Sequence, residues 1–407
     1  MNDIIIKSIS LNKQEFYDLN GRINLEKRGI QFSFSSEEVK TILGIEIEEL
    51  LFCSDSVMKK LENIYLCDVN NKIYYCIGCI FSIKVKDFAE FSSVAINIML
   101  ENTVTDINDI KTNNVTFKTN YMGRSIHAAY IRSYSFSYDS TKKIIINTHT
   151  DDNYNIDITV ESSKKYSYYK LSKILYTYIE MLFLLFGDMP TITEVSLLEN
   201  DKMVKLYFDI VEKYNPKYKK RHGKEILGTI TNKSINRESM KKFEQFRKET
   251  KIIYDLLMIN INSEGYVEIK NCNLVQIMEG MYRTITGSSD ELRVILNHYF
   301  SDYNNSKKVL SRRDKRIVND SHNTPIFIYK AKNHRNYLSH LNINENKNVF
   351  YKIENNYAYW KLCIAIRIYI LEYIDIEYEK DYVPRYIEEI EDWAKKNKLR
   401  FSLKANT

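Results

Sequence analysis

The stretch "SYYKLSKILYTYIEMLFLLFGD" (167–188) marks the point at which the residue pattern of the chain changes. Before it, short runs of alternating polar and apolar residues with turn signals such as Asn-Gly predict antiparallel strands. Within it, apolar residues recur at helical spacing and a Gly-Asp pair follows, which predicts a helix over 167–187. Beyond about residue 230 the apolar period stays near 3.6 residues. The expected fold class is therefore α+β, with a β-rich N-terminal half followed by an all-α helical bundle.

Two domains are expected, because 407 residues exceed what one small core accommodates. We predict a β-rich domain over 1–230, built as an antiparallel sandwich or barrel and including helix 167–187. The charged segment "PKYKKRHGK" (216–224) reads as an exposed loop before the boundary. The second domain, 231–407, is predicted to be helical. Its helices are predicted over 237–260, 272–286, 289–304, 323–341, 352–374 and 384–397.

Composition indicates a globular protein outside the membrane. Hydrophobic residues make up 44% of the chain and charged residues 28%, both ordinary values. The net charge of +6 permits an anionic partner without requiring one. The N-terminal "MNDIIIKSIS" lacks the pattern of a signal peptide. The most apolar stretch, "LCIAIRIYIL" (362–371), is short and interrupted by Arg367, so we expect no membrane span and a cytoplasmic location.

The six cysteines are scattered, as is typical of reduced cytosolic thiols. Cys76 and Cys79 form a CxxC pair inside "KIYYCIGCIFSIKV" (72–85), which reads as strand. No second pair or histidine cluster follows at zinc-finger spacing, so two buried core thiols are predicted. A zinc or redox site at this pair is the alternative. We predict neither a metal nor another cofactor.

The segment "NHRNYLSHL" (333–341) groups chemically useful side chains in a chain with only seven histidines. Histidine is suited to proton transfer near neutral pH. Arginine binds phosphate in a bidentate manner and stabilises developing negative charge. Asparagine can orient the histidine or bind a phosphate oxygen. Arg335, Asn336 and His340 are therefore candidates for metal-free phosphodiester cleavage. The same three residues are also compatible with a solvated helix face or with a hydrogen-bonded network in the core.

The pattern R-N-x-x-x-H in a late helix resembles the R-x(4–6)-H signature of the HEPN superfamily of ribonucleases. A second stretch, "QIMEGMYRT" (276–284), resembles the glutamate-bearing helix of ApeA-like anti-phage proteins, which carry a HEPN domain. Asn333 stands where that family is expected to carry an acidic residue, two positions before the arginine. The resemblance implies an endoribonuclease acting in abortive infection, with tRNA as the expected substrate. It also implies products with a 2′,3′-cyclic phosphate and a 5′-OH, and an N-terminal half that senses a phage-derived trigger.

The expected catalytic set is Arg335, Asn336, His340 and Glu279. Glu279 is expected to line the cleft, pairing with Arg335 or holding His340; an ordinary exposed helix carboxylate is the alternative. Asn336 and His340 are four positions apart and share a helix face. Arg335 and His340 are five apart and diverge by about 140°. This divergence favours a homodimer that draws residues from two HEPN domains into one cleft.

A basic run precedes the motif helix. "KKVLSRRDKR" (307–316) holds six basic residues and one acid, which makes it either an RNA backbone clamp or a solvated loop. Lys332 and His334 flank the motif and are predicted to add phosphate contacts, with plain exposure as the alternative. The competing interpretation of the whole chain is a non-catalytic helical bundle that binds RNA, a nucleotide or a protein partner. The residues of the run predicted to bind RNA are Arg312, Arg313, Lys315 and Arg316.

Overall fold

The structure is a computed structural model of the 407-residue chain. It divides into two compact units, here called the sheet unit and the helical unit. The sheet unit comprises Met1–Met122, Asp139–Tyr176 and Pro190–Lys217, and the helical unit comprises Gly123–Tyr138, Thr177–Met189 and Tyr218–Thr407. The residues that the structure describes are 4–11, 14–24, 30–34, 56–61, 64–77, 79–86, 89–96, 98–101, 103, 107–120, 133–150, 155–187, 190–208, 235–263, 265–308, 323–340, 349–376, 390–394, 396–397 and 399.

The N-terminal half is rich in strands, as its alternating pattern predicts. The first strands are β1 (Ile4–Leu11), β2 (Gln14–Asn24), β3 (Ile30–Phe34), β4 (Ser56–Leu61), β5 (Ile64–Asp68), β6 (Ile73–Ile77), β7 (Cys79–Lys86) and β8 (Ala89–Ile96). The later ones are β9 (Ile98–Glu101), β10 (Lys111–Asn120), β11 (Ser133–Asp139), β12 (Ile144–Thr150), β13 (Asn155–Ser167), β14 (Thr191–Glu199) and β15 (Lys202–Phe208).

The strands of the sheet unit form one antiparallel sheet. Its order is β12-β13-β10-β14-β15-β9-β6-β5-β1-β2-β3-β8-β7-β4. In the register of β10 with β13, Phe117 lies opposite Ile158, and both side chains are fully buried. The described strands of this unit therefore belong to one hydrogen-bonded antiparallel sheet.

The helix predicted over 167–187 is α1 (Tyr168–Phe186), and the division between the units runs through it. Its first half belongs to the sheet unit, where Tyr176 packs edge-on against Phe117 with ring centroids 5.0 Å apart. Its second half belongs to the helical unit. There the buried Arg367 donates from Nε to Leu184 O at 2.9 Å and from Nη2 to Leu185 O at 3.1 Å. These bonds satisfy carbonyl groups that the end of a helix leaves without an intrahelical partner.

The two compact units group the residues differently from the domain limits predicted from the sequence. Residues 123–138 and 177–189 group with the C-terminal helices, although both precede the boundary predicted near residue 230. The boundary predicted near residue 230 lies within the range 209–234, which is outside the described residues. The reason is the all-round apolar character of the end of α1, whose residues 181–186 are each at most 4% exposed. A helix buried on every side needs neighbours on more than one face.

Six further helices lie among the described residues of the helical unit. They are α2 (Arg237–Glu249), α3 (Lys251–Asn262), α4 (Val267–Thr286), α5 (Leu292–Lys308), α6 (Asn323–His340) and α7 (Ile353–Tyr373). Within the helix predicted over 384–397, residues 390–394 are helical. The helix predicted over 237–260 is instead two, because the backbone leaves the helical region at Thr250, with φ −106° and ψ 17°. Helix α4 begins five residues before the predicted start and stops at Gly287, whose φ of 67° suits a residue without a side chain.

Helix α7 is buried nearly all round, as predicted, and anchors the two helices that carry the candidate site. Asn271 on α4 donates to the Asn355 carbonyl oxygen on α7 at 2.9 Å. Lys330 on α6 lies 3.1 Å from both carboxylate oxygens of Glu354 on α7. Helices α4 and α6 are therefore both held by the first turn of α7. No helix among the described residues is long and apolar enough to cross a membrane.

Candidate active site

The candidate site lies where α6 runs beside α4. Helix α6 carries Arg335 and Asn336 in its penultimate turn and ends at His340. Helix α4 presents four side chains at positions i, i+4, i+7 and i+11, a spacing that places them on one face of a helix. We call these four residues the α4 row: Cys272, Gln276, Glu279 and Arg283.

Glu279 is held between two arginines. Its Oε2 accepts from Arg335 Nη2 at 2.9 Å. Its Oε1 accepts from Arg283 Nη2 at 3.1 Å and Nε at 3.3 Å. Arg283 also donates to the carbonyl oxygen of Asp290 at 2.9 Å, which fixes it in turn. One carboxylate between two guanidinium groups leaves the cluster with a net positive charge, which favours an anionic ligand.

The Glu279–Arg335 pair is largely withdrawn from solvent. The Glu279 side chain is 18% exposed and that of Arg335 is 24% exposed, so Glu279 is not the ordinary exposed carboxylate considered as its alternative. Glu279 also supplies the acidic partner that the position of Asn333 lacks. The pairing of Glu279 with Arg335, one of two contacts considered from the sequence, is thus present.

Asn336 contacts the arginine. Its Oδ1 accepts from Arg335 Nη1 at 3.0 Å. Arg335 therefore has a partner on each terminal nitrogen, while its Nε is buried with no hydrogen-bond partner in the described part of the chain. A guanidinium carries five N–H groups, so two N–H groups on the terminal nitrogens are left to bind a phosphate oxygen.

His340 is exposed at the last residue of α6. Within the described ranges its ring makes no hydrogen bond and no ion pair, so neither Asn336 nor Glu279 orients it. An exposed imidazole at a helix end is accessible to a substrate and able to transfer a proton. Because five helical positions separate it from Arg335, the two side chains diverge by about 140° within one chain.

The residue before His340 is tied to the α4 row. Gln276 Nε2 donates to Ser339 Oγ at 2.7 Å. Cys272 Sγ lies 3.6 Å from the same hydroxyl and 3.8 Å from the Arg335 carbonyl oxygen. Burial raises the pKa of the Cys272 thiol, which favours the protonated, donating form. Sequence reasoning missed these contacts, although the spacing of the α4 row was the signal that could have shown them.

His334 corrects one prediction. Only 2% of the residue is exposed, so the predicted phosphate contact has no accessible surface. Its Nε2 donates to the Glu268 carbonyl oxygen at 2.9 Å, and its ring packs 5.4 Å from that of Phe350. Burial lowers the pKa of His334, which favours the neutral ring. The His334 side chain is therefore part of the packing between α4 and α6. Arg335, the next residue, is more exposed than His334.

The other predicted RNA contacts are only partly described. Lys332 is half-buried on α6. The basic run lies almost wholly outside the described residues, which end at 308 and resume at 323. This applies to all four of its predicted contacts, Arg312, Arg313, Lys315 and Arg316.

The CxxC pair lies in the sheet. Cys76 lies in β6 opposite Ile64, and Cys79 is the first residue of β7; both are fully buried. Burial raises the pKa of both thiols, that of Cys79 to about 12, which disfavours the thiolate that a metal or redox site requires. Among the residues that the structure describes, no group of three or more His, Cys, Asp or Glu side chains could hold a metal ion.

Comparison with known proteins adds no relative. No protein-family model, curated protein or solved structure matches this chain. The functional assignment therefore rests on the residues of the α4–α6 site and their geometry.

Proposed function

We propose that this protein is a metal-independent endoribonuclease of the HEPN type, with Arg335 and His340 as its catalytic residues. The observation that carries the proposal is the oriented arginine: Glu279 fixes Arg335 from α4, while His340 stands exposed at the end of the same helix. A positioned cation and an accessible imidazole are the minimum that metal-free RNA cleavage needs.

The reaction is an internal transesterification. His340 accepts the proton of the ribose 2′-OH, and the 2′ oxygen attacks the adjacent phosphorus. Arg335 binds the non-bridging oxygens, on which negative charge develops. The bond from phosphorus to the 5′ oxygen breaks, and that oxygen takes up a proton from solvent, while His340 later returns its proton to solvent. The products carry a 2′,3′-cyclic phosphate and a 5′-OH.

A homodimer completes the proposal. Since Arg335 and His340 diverge on one helix, two copies of α6 related by a two-fold axis would bring an arginine and a histidine from different chains to one phosphate. The resemblance to ApeA-like proteins extends the proposal to abortive infection in the bacterial cytoplasm. Host tRNA is then the substrate, and the N-terminal half responds to a phage-derived trigger.

One observation favours a second function. Both terminal nitrogens of Arg335 already have protein partners, Glu279 and Asn336, as they would in a purely structural network. The competing proposal is a non-catalytic bundle that binds RNA, a nucleotide or a protein. Under it, Arg335 supports the packing of α4 against α6 and His340 has no chemical role.

The test is RNA cleavage by Arg335→Ala and His340→Ala, with Arg293→Ala and His149→Ala as matched controls. The control residues are exposed, Arg293 on α5 and His149 on β12. Cleavage by the site variants should fall about 10²–10⁴-fold, and the controls should retain wild-type rates. Full activity of either site variant, with unchanged circular dichroism and dimer mass, contradicts the proposed mechanism.

Mixing the two inactive variants tests the composite cleft. A heterodimer of Arg335→Ala with His340→Ala contains one intact arginine and one intact histidine, on different chains. Partial recovery of cleavage is expected if each cleft draws on both protomers. No recovery, with heterodimer formation verified by mass, places both catalytic residues of a cleft in one protomer.

A further inference from the structure

The α4 row contacts the motif segment of α6 at both ends. Glu279 binds the Arg335 side chain at one end. Gln276 and Cys272 contact Ser339 at the other. His340 follows Ser339 directly and is the last residue of the helix. Arg335 therefore contacts α4 directly, and His340 follows a residue that contacts α4.

His340 lies in the last described turn of α6, directly after Ser339. The His340 side chain has no hydrogen bond to another described residue, so nothing in that part of the chain holds its ring directly. Its position depends on the last described turn of α6, which Gln276 and Cys272 contact from α4 through Ser339.

We propose that Gln276 is a positioning residue for His340, acting through its hydrogen bond to Ser339. This inference rests on the proposed ribonuclease function. At 2.7 Å the Gln276–Ser339 bond ties the turn that carries His340 to α4, the helix that also orients Arg335 through Glu279. One helix thus contacts the segments that carry both catalytic groups of a protomer.

The Gln276–Ser339 hydrogen bond should matter more for the position of His340 than for the stability of the fold. Gln276 and Ser339 are both exposed residues, and an exposed neutral hydrogen bond contributes little to the free energy of unfolding. A misplacement of about 1 Å at a reacting group can cost about 10² in rate. Loss of the tether should therefore lower kcat while leaving the melting temperature and RNA affinity nearly unchanged.

The first experiment measures hydrogen–deuterium exchange of the amides in the last turn of α6, without RNA, in Gln276→Ala and Ser339→Ala. Gln245→Ala is the matched control, because Gln245 also makes an exposed hydrogen bond, at 2.6 Å to Glu249 on α2. Exchange in the last turn should rise several-fold in both site variants and stay at the wild-type rate in the control. Unchanged exchange in Gln276→Ala overturns the proposal.

The second experiment measures cleavage. Gln276→Ala should lower kcat about tenfold with KM unchanged, and Ser339→Thr, which keeps the hydroxyl, should restore most of the loss seen in Ser339→Ala. Gln276→Glu keeps a partner for the Ser339 hydroxyl and adds a negative charge beside Ser339, the residue that precedes His340. The acidic limb of the pH–rate profile of Gln276→Glu should move to higher pH, because a nearby carboxylate favours the protonated form of the His340 ring. An unmoved limb together with a wild-type kcat in Gln276→Ala refutes the positioning role.

The two proposals fail in different ways. If the wild-type protein cuts no RNA, the proposed function fails, and the exchange experiment still decides whether Gln276 holds the turn that carries His340. If the wild-type protein cuts RNA and His340→Ala does not, but Gln276→Ala cuts at the wild-type rate, the function stands and the inference about Gln276 is wrong.

Discussion

Glu279 Oε2 and Arg335 Nη2 lie 2.9 Å apart across α4 and α6, although the two residues are separated by 56 positions in the chain. Arg283 binds the other carboxylate oxygen and so fixes which oxygen faces Arg335. The contact converts a flexible arginine into an oriented cation, which is what stabilisation of a developing phosphorane charge requires.

The pair should matter more for catalysis than for folding. A double-mutant cycle with Glu279→Ala and Arg335→Ala should give a coupling of about 1 kcal/mol in the free energy of unfolding, because the pair is partly exposed. RNA cleavage by Glu279→Gln should fall at least about tenfold, since a neutral amide lacks the charge attraction that helps to orient the guanidinium. Urea denaturation and single-turnover cleavage provide the two measurements. Wild-type cleavage by Glu279→Gln would show that the carboxylate has only a structural role.

Cleavage should not require a divalent metal ion. In the proposed mechanism Arg335 supplies the positive charge and His340 the proton transfer, so neither role is left for a metal ion. RNA cleavage should therefore persist in excess EDTA, measured on a substrate whose fold does not depend on Mg²⁺. Loss of cleavage that Mg²⁺ or Mn²⁺ restores would contradict this mechanism.

The basic run should control RNA affinity and leave the chemistry intact. Removing four cations from a phosphate-binding segment weakens binding and flattens its dependence on salt, because fewer counterions are released. Binding is measured by titration at several salt concentrations, and kcat at saturating RNA. The variant to be tested carries serine at Arg312, Arg313, Lys315 and Arg316.

A control for this experiment removes the same charge from elsewhere in the chain. Four exposed lysines of the sheet unit are changed to serine together, and the slope of log K against log salt is compared between the two variants. If both variants change the slope equally, the run acts only through net charge and is not a clamp. The four control residues are Lys164, Lys165, Lys170 and Lys173.

Glu180 should make the stability of the helical unit depend on pH. Burial raises the pKa of Glu180 to about 7, although Arg247 lies 2.8 Å from its Oε2. A carboxyl group whose pKa is higher in the folded than in the unfolded state stabilises the fold below its unfolded pKa of about 4.5. That contribution is lost as pH rises through 7. Its full size is about 3 kcal/mol.

The variant Glu180→Gln removes this titration while keeping the shape of the side chain. Between pH 5 and 8 its free energy of unfolding should decrease less with rising pH than that of the wild-type protein, as measured by denaturant unfolding at each pH. Glu249→Gln, a change at an exposed carboxylate of α2, should follow the wild-type curve. Parallel curves for all three proteins would show that Glu180 does not titrate in this range.

Periodicity located most of the helical elements because each is long and regularly patterned. The helices predicted over 323–341 and 352–374 agree with α6 and α7 to within one residue at each end. Periodicity failed at Thr250, because the apolar stripe continues through the break between α2 and α3. It also did not reveal that the end of α1 groups with the C-terminal helices, since an apolar run shows that a helix is buried without showing which element covers it.

For the candidate site, too, some features follow from the sequence and others only from the tertiary structure. The sequence by itself determined that Arg335, Asn336 and His340 share the end of one helix and that Glu279 belongs to another, because helical period and motif spacing are local properties. Only the tertiary structure decided that Glu279 meets Arg335, that Gln276 reaches Ser339 and that His334 turns inward. Those contacts depend on how α4 and α6 are held against α7. Such packing joins residues far apart in the chain, and no local pattern encodes which helices become neighbours.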